Sequence, residues 1–165
     1  MAKKLINFCA LLFLGACASS LNSWRVDGID AGNGSYDLAR LRYVPSLSHS
    51  PLTFEFLKLK ENVEAFLSLS HFRFNPIDSD NNAKVIFTIS NRVKEILVPI
   101  HEGQMRVRLP KETTEEIIQA LQEGKKVAIL LDGFEETLDP EQFSSSFAQF
   151  LGQGNFLQTL FKGPL

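Results

Sequence analysis

Cysteine and histidine are scarce in this chain of 165 residues. The two cysteines are Cys9 and Cys17, and the three histidines are His49, His71 and His101. No histidine lies at ligand spacing from another histidine, a cysteine or a carboxylate, whereas a zinc site needs several such ligands gathered together. The sequence therefore predicts no metal site and no cofactor.

Basic clusters are lacking as well. The 17 lysine and arginine residues are interspersed with 19 acidic residues, and the formal net charge is −2. Nucleic-acid binding depends on grouped Lys and Arg side chains that neutralise phosphates, and so does electrostatic docking on anionic lipid. We therefore expect no nucleic-acid partner and no electrostatic contact with a lipid surface.

Catalytic signatures are missing too. The strand–G-x-S-x-G–helix motif of a nucleophile elbow does not occur. The serines around His49 lie in a loop between Pro45 and Pro51, and neighbours in one loop rarely reach the geometry of a catalytic triad. The sequence thus predicts a protein that is not an enzyme.

A run long enough to form a transmembrane helix is also absent. The apolar stretch Leu5–Leu14 is interrupted only by Asn7 and is too short to cross a bilayer. Lys3 and Lys4 precede it, as in the positive n-region of a secretory signal. This N-terminal segment is therefore predicted to be a signal peptide.

Leu14-Gly15-Ala16-Cys17 follows directly and resembles the lipobox of bacterial lipoproteins. The resemblance covers residues 1–17. It implies that a lipoprotein signal peptidase recognises Leu14, Gly15 and Ala16 and cleaves before Cys17. It also implies that Cys17 carries a diacylglyceryl thioether and a further acyl chain such as palmitate. The alternative is a buried N-terminal helix with an incidental cysteine.

The resemblance divides the chain into a signal peptide (residues 1–16), a lipidated tether (17–23) and one globular domain (24–165). Cleavage would leave 149 residues with a formal charge of −4, because two lysines leave with the signal. Cys9 also leaves and Cys17 is consumed by lipid, so we expect no disulfide. The family implies anchoring in the bacterial cell envelope, and Ala18 favours the outer membrane if the cell has two membranes.

Hydrophobic periodicity over residues 24–109 has the period of two that is typical of strands. The period then changes, and two helices are predicted at about 111–123 and 140–151. Gly124 is expected to end the first helix, Asp139 and Pro140 to begin the second, and Gly152 and Gly154 to end it. The predicted fold class is β-rich α+β, an antiparallel β-sandwich or barrel with two late helices.

Two local features of the strands are more specific. The apolar positions change parity around Ala39-Arg40, which predicts a bulge there. Glu102-Gly103 separates two alternating segments, one ending at Ile100 and the other beginning at Met105. These segments form the clearest predicted hairpin of the chain.

Trp24, the helical segment Thr113–Gly124, the apolar Val127–Leu131 and Gly133-Phe134 carry a second resemblance. Their order is similar to that of the invasion-associated locus B family of small envelope β-proteins. That family often has a cysteine pair, which residues 24–165 lack. The resemblance implies a non-enzymatic β domain.

The candidate partner-binding residues are Phe66, Phe72 and Phe74. With Ser68 and Ser70 between them, these phenylalanines could form an exposed aromatic face. The alternative is that a helix covers them. The leading hypothesis is a lipid-anchored envelope lipoprotein with a non-catalytic binding or structural role, acting through a protein partner. The alternative function is a carrier or sensor of an apolar ligand in a Phe-rich β domain, and an envelope hydrolase comes third.

Overall fold

The computed structural model describes residues 23–29, 38–44, 51–59, 62–101 and 103–161. The predicted signal peptide, the recognition residues Leu14, Gly15 and Ala16, and Cys17 lie outside the described residues. The described strands are β1 (Ser23–Ile29), β2 (Leu38–Val44), β3 (Leu52–Leu59), β4 (Asn62–Leu69), β5 (Asn82–Ile89), β6 (Arg92–Pro99), β7 (Arg106–Arg108), β8 (Val127–Leu131) and β9 (Phe134–Leu138). The described helices are α1 (Lys111–Gln122), which precedes β8, and α2 (Phe143–Phe161), which follows β9.

The nine described strands form two antiparallel sheets. Sheet A has the order β1-β2-β3-β4-β7, and sheet B has the order β6-β5-β8-β9. This arrangement confirms the predicted β-rich α+β class. Of the two predicted alternatives, sandwich and barrel, it fits a sandwich, because no described ladder closes either sheet on itself.

Both sheets turn one face to a shared core. Alternate residues point inward, as a period of two requires, and Leu41, Phe56 and Leu67 of sheet A meet Val85 and Ile129 of sheet B in one buried cluster. α2 packs against β1 and β2, while α1 lies against β4 and β8. Among the described helices and strands, none covers the other face of either sheet.

Trp24 fixes α2 against sheet A. Its ring lies 4.9 Å from that of Phe143 and 6.1 Å from that of Phe56, centroid to centroid. Its Nε1 donates a hydrogen bond of 2.8 Å to the backbone oxygen of Asp139. Large aromatic rings bury much apolar area, and the indole N–H needs a partner when it is buried. Trp24 therefore joins β1, β3 and the start of α2.

The first predicted helix is confirmed, and so is its stop at Gly124. Gly124 has φ +75°, Lys125 N donates to Ala120 O at 2.9 Å, and Gly124 N donates to Leu121 O at 3.1 Å. These two bonds are the Schellman arrangement, in which a left-handed residue ends the helix. Ile117, Ala120 and Leu121 form the buried stripe of α1.

Both ends of the second predicted helix are wrong. α2 begins three residues later than predicted, because Gln142 adopts φ +63° and Asp139 Oδ1 accepts a hydrogen bond from Glu141 N at 2.9 Å, which forms a separate turn. α2 then continues through Gly152 and Gly154 to Phe161. Glycine lowers helix stability but ends a helix only where the backbone turns left-handed, and Gly152 does not.

One side of α2 packs into the core. Phe143, Phe147 and Phe150 are buried, whereas Leu151 is exposed. Neither described helix is both long and apolar enough to cross a membrane.

The predicted hairpin around Glu102-Gly103 is wrong as a strand pair. The turn is present, since His101 N donates to Arg106 O at 2.9 Å, but one bridge between Ile100 and Val107 is the only described ladder contact. β6 belongs to sheet B and β7 to sheet A, where β7 pairs with β4. Alternation identifies a strand but not its partner, so the sequence could not show that the chain changes sheets here.

The predicted bulge at Ala39-Arg40 is also absent from the described ladder. Ala39 pairs with Gly28 and Arg40 with Asp27, one residue to one residue. β2 begins at Leu38 and keeps a single parity to its end, with Ala39, Leu41 and Tyr43 buried. The apolar residues of the other parity precede or begin the strand and therefore need no bulge.

Candidate functional site

The outward side of sheet A carries most of the arginines of the described strands. Strand register places them on one face with three carboxylates and one phenylalanine, because each pairs with another residue of the set or lies two positions from one. We call this surface the arginine face. Its residues are Arg25, Asp27, Arg40, Arg42, Glu55, Glu64, Phe66, Arg106 and Arg108.

Glu55 lies at the centre of the arginine face and is only 8% exposed. Its Oε1 accepts a hydrogen bond of 2.6 Å from Arg106 Nη2, and its Oε2 lies 3.9 Å from Arg40 Nη1. A buried carboxylate needs such partners, since removing an unpaired charge from water is costly. Glu55 therefore holds two guanidinium groups in place from opposite sides.

Phe66 supports one of these guanidinium groups from below. The Arg106 Cζ lies 3.8 Å from the centroid of the Phe66 ring, a cation–π contact. The ring of His101 meets Phe66 edge-on at 6.1 Å. These contacts leave Phe66 only 6% exposed although it points away from the core. The aromatic ring thus serves as a platform for an arginine.

Most of the other charged residues of the arginine face form ion pairs with one another. Arg40 Nη2 lies 3.0 Å from Asp27 Oδ2, and Arg42 Nη2 lies 3.9 Å from the same oxygen. Arg108 Nη1 donates to Glu64 Oε1 at 3.2 Å. Arg25 is exposed and has no ion-pair partner among the described residues. Five arginines against three carboxylates leave the face with a net charge of +2.

The arginine face is suited to binding anions. Arginine keeps its charge at any pH that proteins meet, and its planar fork matches the oxygens of carboxylate and phosphate groups. The Nε atoms of Arg40, Arg42 and Arg106 are buried without a hydrogen-bond partner in the described part of the chain. The terminal nitrogens thus provide the accessible donors, because each of these side chains is about one third exposed.

The outward side of sheet B combines apolar and charged residues. Val93 and Leu97 of β6 and Leu130 of β8 are exposed there, and Ile86 of β5 lies between them, half-buried. The Lys84–Glu95 ion pair lies on the same side, because Lys84 pairs with Leu97 and Glu95 with Ile86. Cross-strand pairing places Leu130 opposite Ile86. We call the four apolar residues the apolar face. Single exposed apolar residues are ordinary, but a group of them on one sheet is typical of a contact surface.

The three phenylalanines proposed for partner binding occupy different environments. Phe74 is 2% exposed and belongs to the core, and Phe66 lies under Arg106 on the arginine face. Phe72 is 51% exposed and its ring lies 5.5 Å from that of Phe134. The structure therefore does not bring them together on one exposed face, and it does not place them under one helix either. A partner contact through Phe72 stays a prediction.

The titratable side chains of the described residues do not gather into a metal centre. No group of three or more His, Cys, Asp or Glu residues is placed to hold an ion within that part of the chain. His71 and His101 are both exposed, and His49 lies outside the described residues. Asp78 serves a loop: its Oδ1 accepts from Asn82 N at 3.0 Å, and its bonds to Asn82 lower the pKa of its carboxyl.

Two clefts lie beside these surfaces. The larger, about 580 Å³, lies between the N-terminal turn of α1 and the edge of sheet A and contains the Glu64–Arg108 ion pair, Lys111 and Glu115. The smaller, about 190 Å³, lies at the edge of the apolar face next to Ile77, Ile86 and Leu130. The larger cleft also has apolar residues in its lining, namely Val63, Leu109, Pro110 and Ile118, so its lining is mixed and not predominantly apolar as in a typical site for an apolar ligand.

The arginine face was missed in the sequence because its residues are distant along the chain. Arg25 and Arg108 are separated by more than half of the protein, and strand pairing brings them to one sheet. Alternation did contain a signal: Arg40 and Arg42, like Arg106 and Arg108, occupy alternate positions between apolar residues. Comparison of the chain with protein-family models, with curated proteins and with solved structures found no match.

Proposed function

We propose that this chain is a lipid-anchored protein of the bacterial cell envelope that binds a protein partner and catalyses no reaction. The observation that carries the proposal is Leu14-Gly15-Ala16-Cys17 at the end of a short apolar run that two lysines precede. Each buried CH2 of an acyl chain contributes about 0.8 kcal/mol, and stable anchoring takes two membrane signals. Two or three chains on Cys17 would satisfy that requirement.

The side chains of the described domain support binding more than catalysis. The charged groups that the fold collects are arginines in ion pairs with carboxylates, and arginine stays protonated at working pH. General acid–base catalysis instead needs a group that titrates near that pH. The arrangement therefore fits recognition of a partner or a surface.

The apolar face supports a protein as the partner. Val93, Leu97 and Leu130 expose apolar area on the side of sheet B that points away from the core. Burial of apolar area contributes roughly 25 cal/mol per Å² to association. Binding of a protein with a complementary apolar surface would remove this area from water and so gain this contribution.

The alternative function, a carrier or sensor of an apolar ligand, has less support. The rings of Phe54, Phe56, Phe87, Phe143 and Phe150 are fully buried within the core. They pack against other side chains, as Phe54 and Phe56 do at 4.9 Å, so they fill the domain. The larger cleft has a mixed lining in which four charged side chains accompany apolar ones, which suits an apolar ligand less well than a predominantly apolar lining would.

The anchor is tested by replacing Cys17. Cys17→Ser removes the Sγ atom that would form the thioether. We therefore expect loss of labelling by a radioactive or clickable fatty acid, and we expect the signal peptide to stay uncleaved. Cys9→Ser is the matched control, because Cys9 lies within the predicted signal peptide and would leave lipidation intact. Normal labelling and cleavage of the Cys17→Ser protein would refute the anchor.

The partner is tested by photo-crosslinking in the cell. A crosslinking amino acid at Val93 or Leu97 is expected to give one discrete adduct with another protein, and the same group at the exposed Glu112 of α1 serves as the control position. Crosslinks that are equal at all three positions, or none at Val93 and Leu97, would contradict binding through the apolar face. A crosslinking amino acid in place of Phe72 would test the predicted partner contact of that residue in the same way.

A further inference from the structure

We infer that the arginine face docks on the phosphate head groups of an anionic bilayer and so holds the domain flat against the membrane. The inference rests on the proposed lipid anchor and adds a second contact to it. It concerns the side of sheet A that faces away from the core and that no other described element covers.

Charge is the first argument. The arginine face has a net charge of +2, whereas the chain as a whole is acidic, with a formal charge of −2. The two signs are thus separated on the molecule, and an anionic surface attracts this face and repels the rest. Each Lys or Arg near an anionic bilayer contributes about one kcal/mol, which for two net charges corresponds to a preference of roughly 30-fold for the docked orientation.

Distance is the second argument. Ser23 is the first residue of β1, and only six residue steps separate it from Cys17. A chain of that length spans at most about 20 Å when fully extended. β1 is an edge strand of sheet A and carries Arg25, so the lipid would hold the arginine face within a few Debye lengths of the head groups.

Shape is the third argument. The arginines extend from Arg25 on β1 at one edge of the sheet to Arg106 and Arg108 on β7 at the other. Five strands at about 4.8 Å spacing give a face roughly 20 Å across, which is broad enough to meet several head groups. A surface of many equivalent phosphates fits such an extended set better than one small anion does.

Rigidity is the fourth argument. Arg106 is held by Glu55 at 2.6 Å and by the Phe66 ring, and Arg40 is held by Asp27 at 3.0 Å. These contacts remove much of the rotamer freedom that a long side chain loses on binding. The exposed terminal nitrogens are therefore positioned before a phosphate arrives.

The proposed docking differs from the expectation from the sequence, which predicted no electrostatic contact with lipid because charges of both signs are mixed along the chain. Folding separates charges that are mixed in the sequence. Alternate residues of a strand point to opposite sides, and neighbouring strands align their outward residues. Arginines from β1, β2 and β7 thus lie on one face, although β7 is distant from β1 and β2 along the chain.

The test uses the full lipidated protein reconstituted into vesicles of phosphatidylcholine alone or with 30% phosphatidylglycerol. Phenylglyoxal modifies accessible arginines, and mass spectrometry reads each site. We expect modification of Arg25 and Arg108 to slow by up to roughly 30-fold in the anionic vesicles. Arg73 and Arg92, which are exposed and lie outside sheet A, provide internal controls and are expected to react equally in both vesicles. Salt at 1 M shortens the Debye length to about 3 Å and is expected to remove the protection.

A charge reversal gives a second readout. Arg25→Glu brings the net charge of the face from +2 to zero without breaking a described ion pair, so protection of Arg108 is expected to disappear. Arg92→Glu changes the total charge equally on sheet B and is expected to leave protection intact. Far-ultraviolet circular dichroism checks that both variants fold.

Equal labelling in the two kinds of vesicle would overturn the docking proposal, and so would protection that Arg25→Glu leaves unchanged. Protection that appears only after an acidic protein or a nucleic acid is added would also overturn it, since the occupant would then be a different macromolecule. Failure of the anchor itself is seen separately, as a Cys17 peptide whose mass shows no acyl group. The two claims can therefore fail independently.

Discussion

At the scale of single residues, Glu55 organises the arginine face. It is the most buried carboxylate of that face, and it accepts the 2.6 Å hydrogen bond from Arg106. Its neighbour across the strand pair is Phe66, the ring on which the same arginine lies. A carboxylate, a cation and an aromatic ring thus depend on one another, and loss of one member leaves the others in an unfavourable environment.

We expect Glu55→Gln to lower the free energy of unfolding by about 1–2 kcal/mol, because the ion pair with Arg106 becomes a hydrogen bond from a cation to a neutral amide in a largely buried site. Chemical denaturation measures this change. Glu95→Gln is the control: Glu95 is exposed and lies 3.6 Å from Lys84, so its loss is expected to cost less than about 0.5 kcal/mol. Equal effects of the two substitutions would show that burial of Glu55 does not matter.

Tyr43 gives a prediction of pH dependence. Burial raises the pKa of the Tyr43 hydroxyl to about 12, the backbone of Asp139 acts in the lowering sense, and the negative charges of Glu136 and Asp139 raise the pKa further. The unfolded chain loses this proton near pH 10, so folding stability is intact below pH 10 and falls as the pH rises from 10 to 12.

Tyr43→Phe is expected to remove that part of the alkaline loss, as measured by urea unfolding at pH 8 and pH 11. At pH 8 the variant is expected to match or exceed the parent by up to about 1 kcal/mol, since the buried hydroxyl has no well-formed hydrogen bond among the described residues. The same decline at pH 11 in both proteins would assign the alkaline loss to other groups.

At the scale of elements, the type of most segments was predictable from the sequence, but the partner of each strand and the exact ends of α2 were not. The helix α1 and its stop at Gly124 follow from periodicity and one glycine, and both are confirmed. The partner of β7 is β4, which is distant along the chain, and the start of α2 depends on the left-handed backbone of Gln142, which no sequence signal indicated. The arginine face was not predictable either, because it exists only once the strands have paired.

Two glycines give opposite predictions for the same substitution. Gly152→Ala is expected to raise the free energy of unfolding by about 0.5–1 kcal/mol, because Gly152 is helical and an added methyl group would meet open space. Gly124→Ala also meets open space, but its φ of +75° strains any residue with a β-carbon, so we expect a loss of about 1 kcal/mol.

Thermal or urea unfolding of the two variants decides this comparison. The difference between them is more informative than either value, because the added methyl group is the same and only the backbone differs. A stabilising Gly124→Ala would mean that α1 does not end in a left-handed turn. A destabilising Gly152→Ala would mean that α2 does not continue beyond its first eight or nine residues.

At the scale of the whole molecule, the two sheets present different surfaces to the surroundings. The outward side of sheet A carries more arginines than carboxylates, and the outward side of sheet B exposes Val93, Leu97 and Leu130. A lipid on Cys17 would reach the molecule through β1, next to the arginine face and in the sheet that does not carry the apolar face. In this arrangement one sheet rests on the membrane and the other stays available to a protein partner.

The anchor is the claim on which this arrangement depends, and one measurement tests it most directly. The protein is purified from the membrane fraction, and the intact mass and the N-terminal peptide are measured by mass spectrometry. We predict that residues 1–16 are absent and that Cys17 is the first residue, with a mass increase equal to a diacylglyceryl group or to that group with one further acyl chain. A protein that retains Met1, or that begins at an unmodified Cys17, would contradict the account.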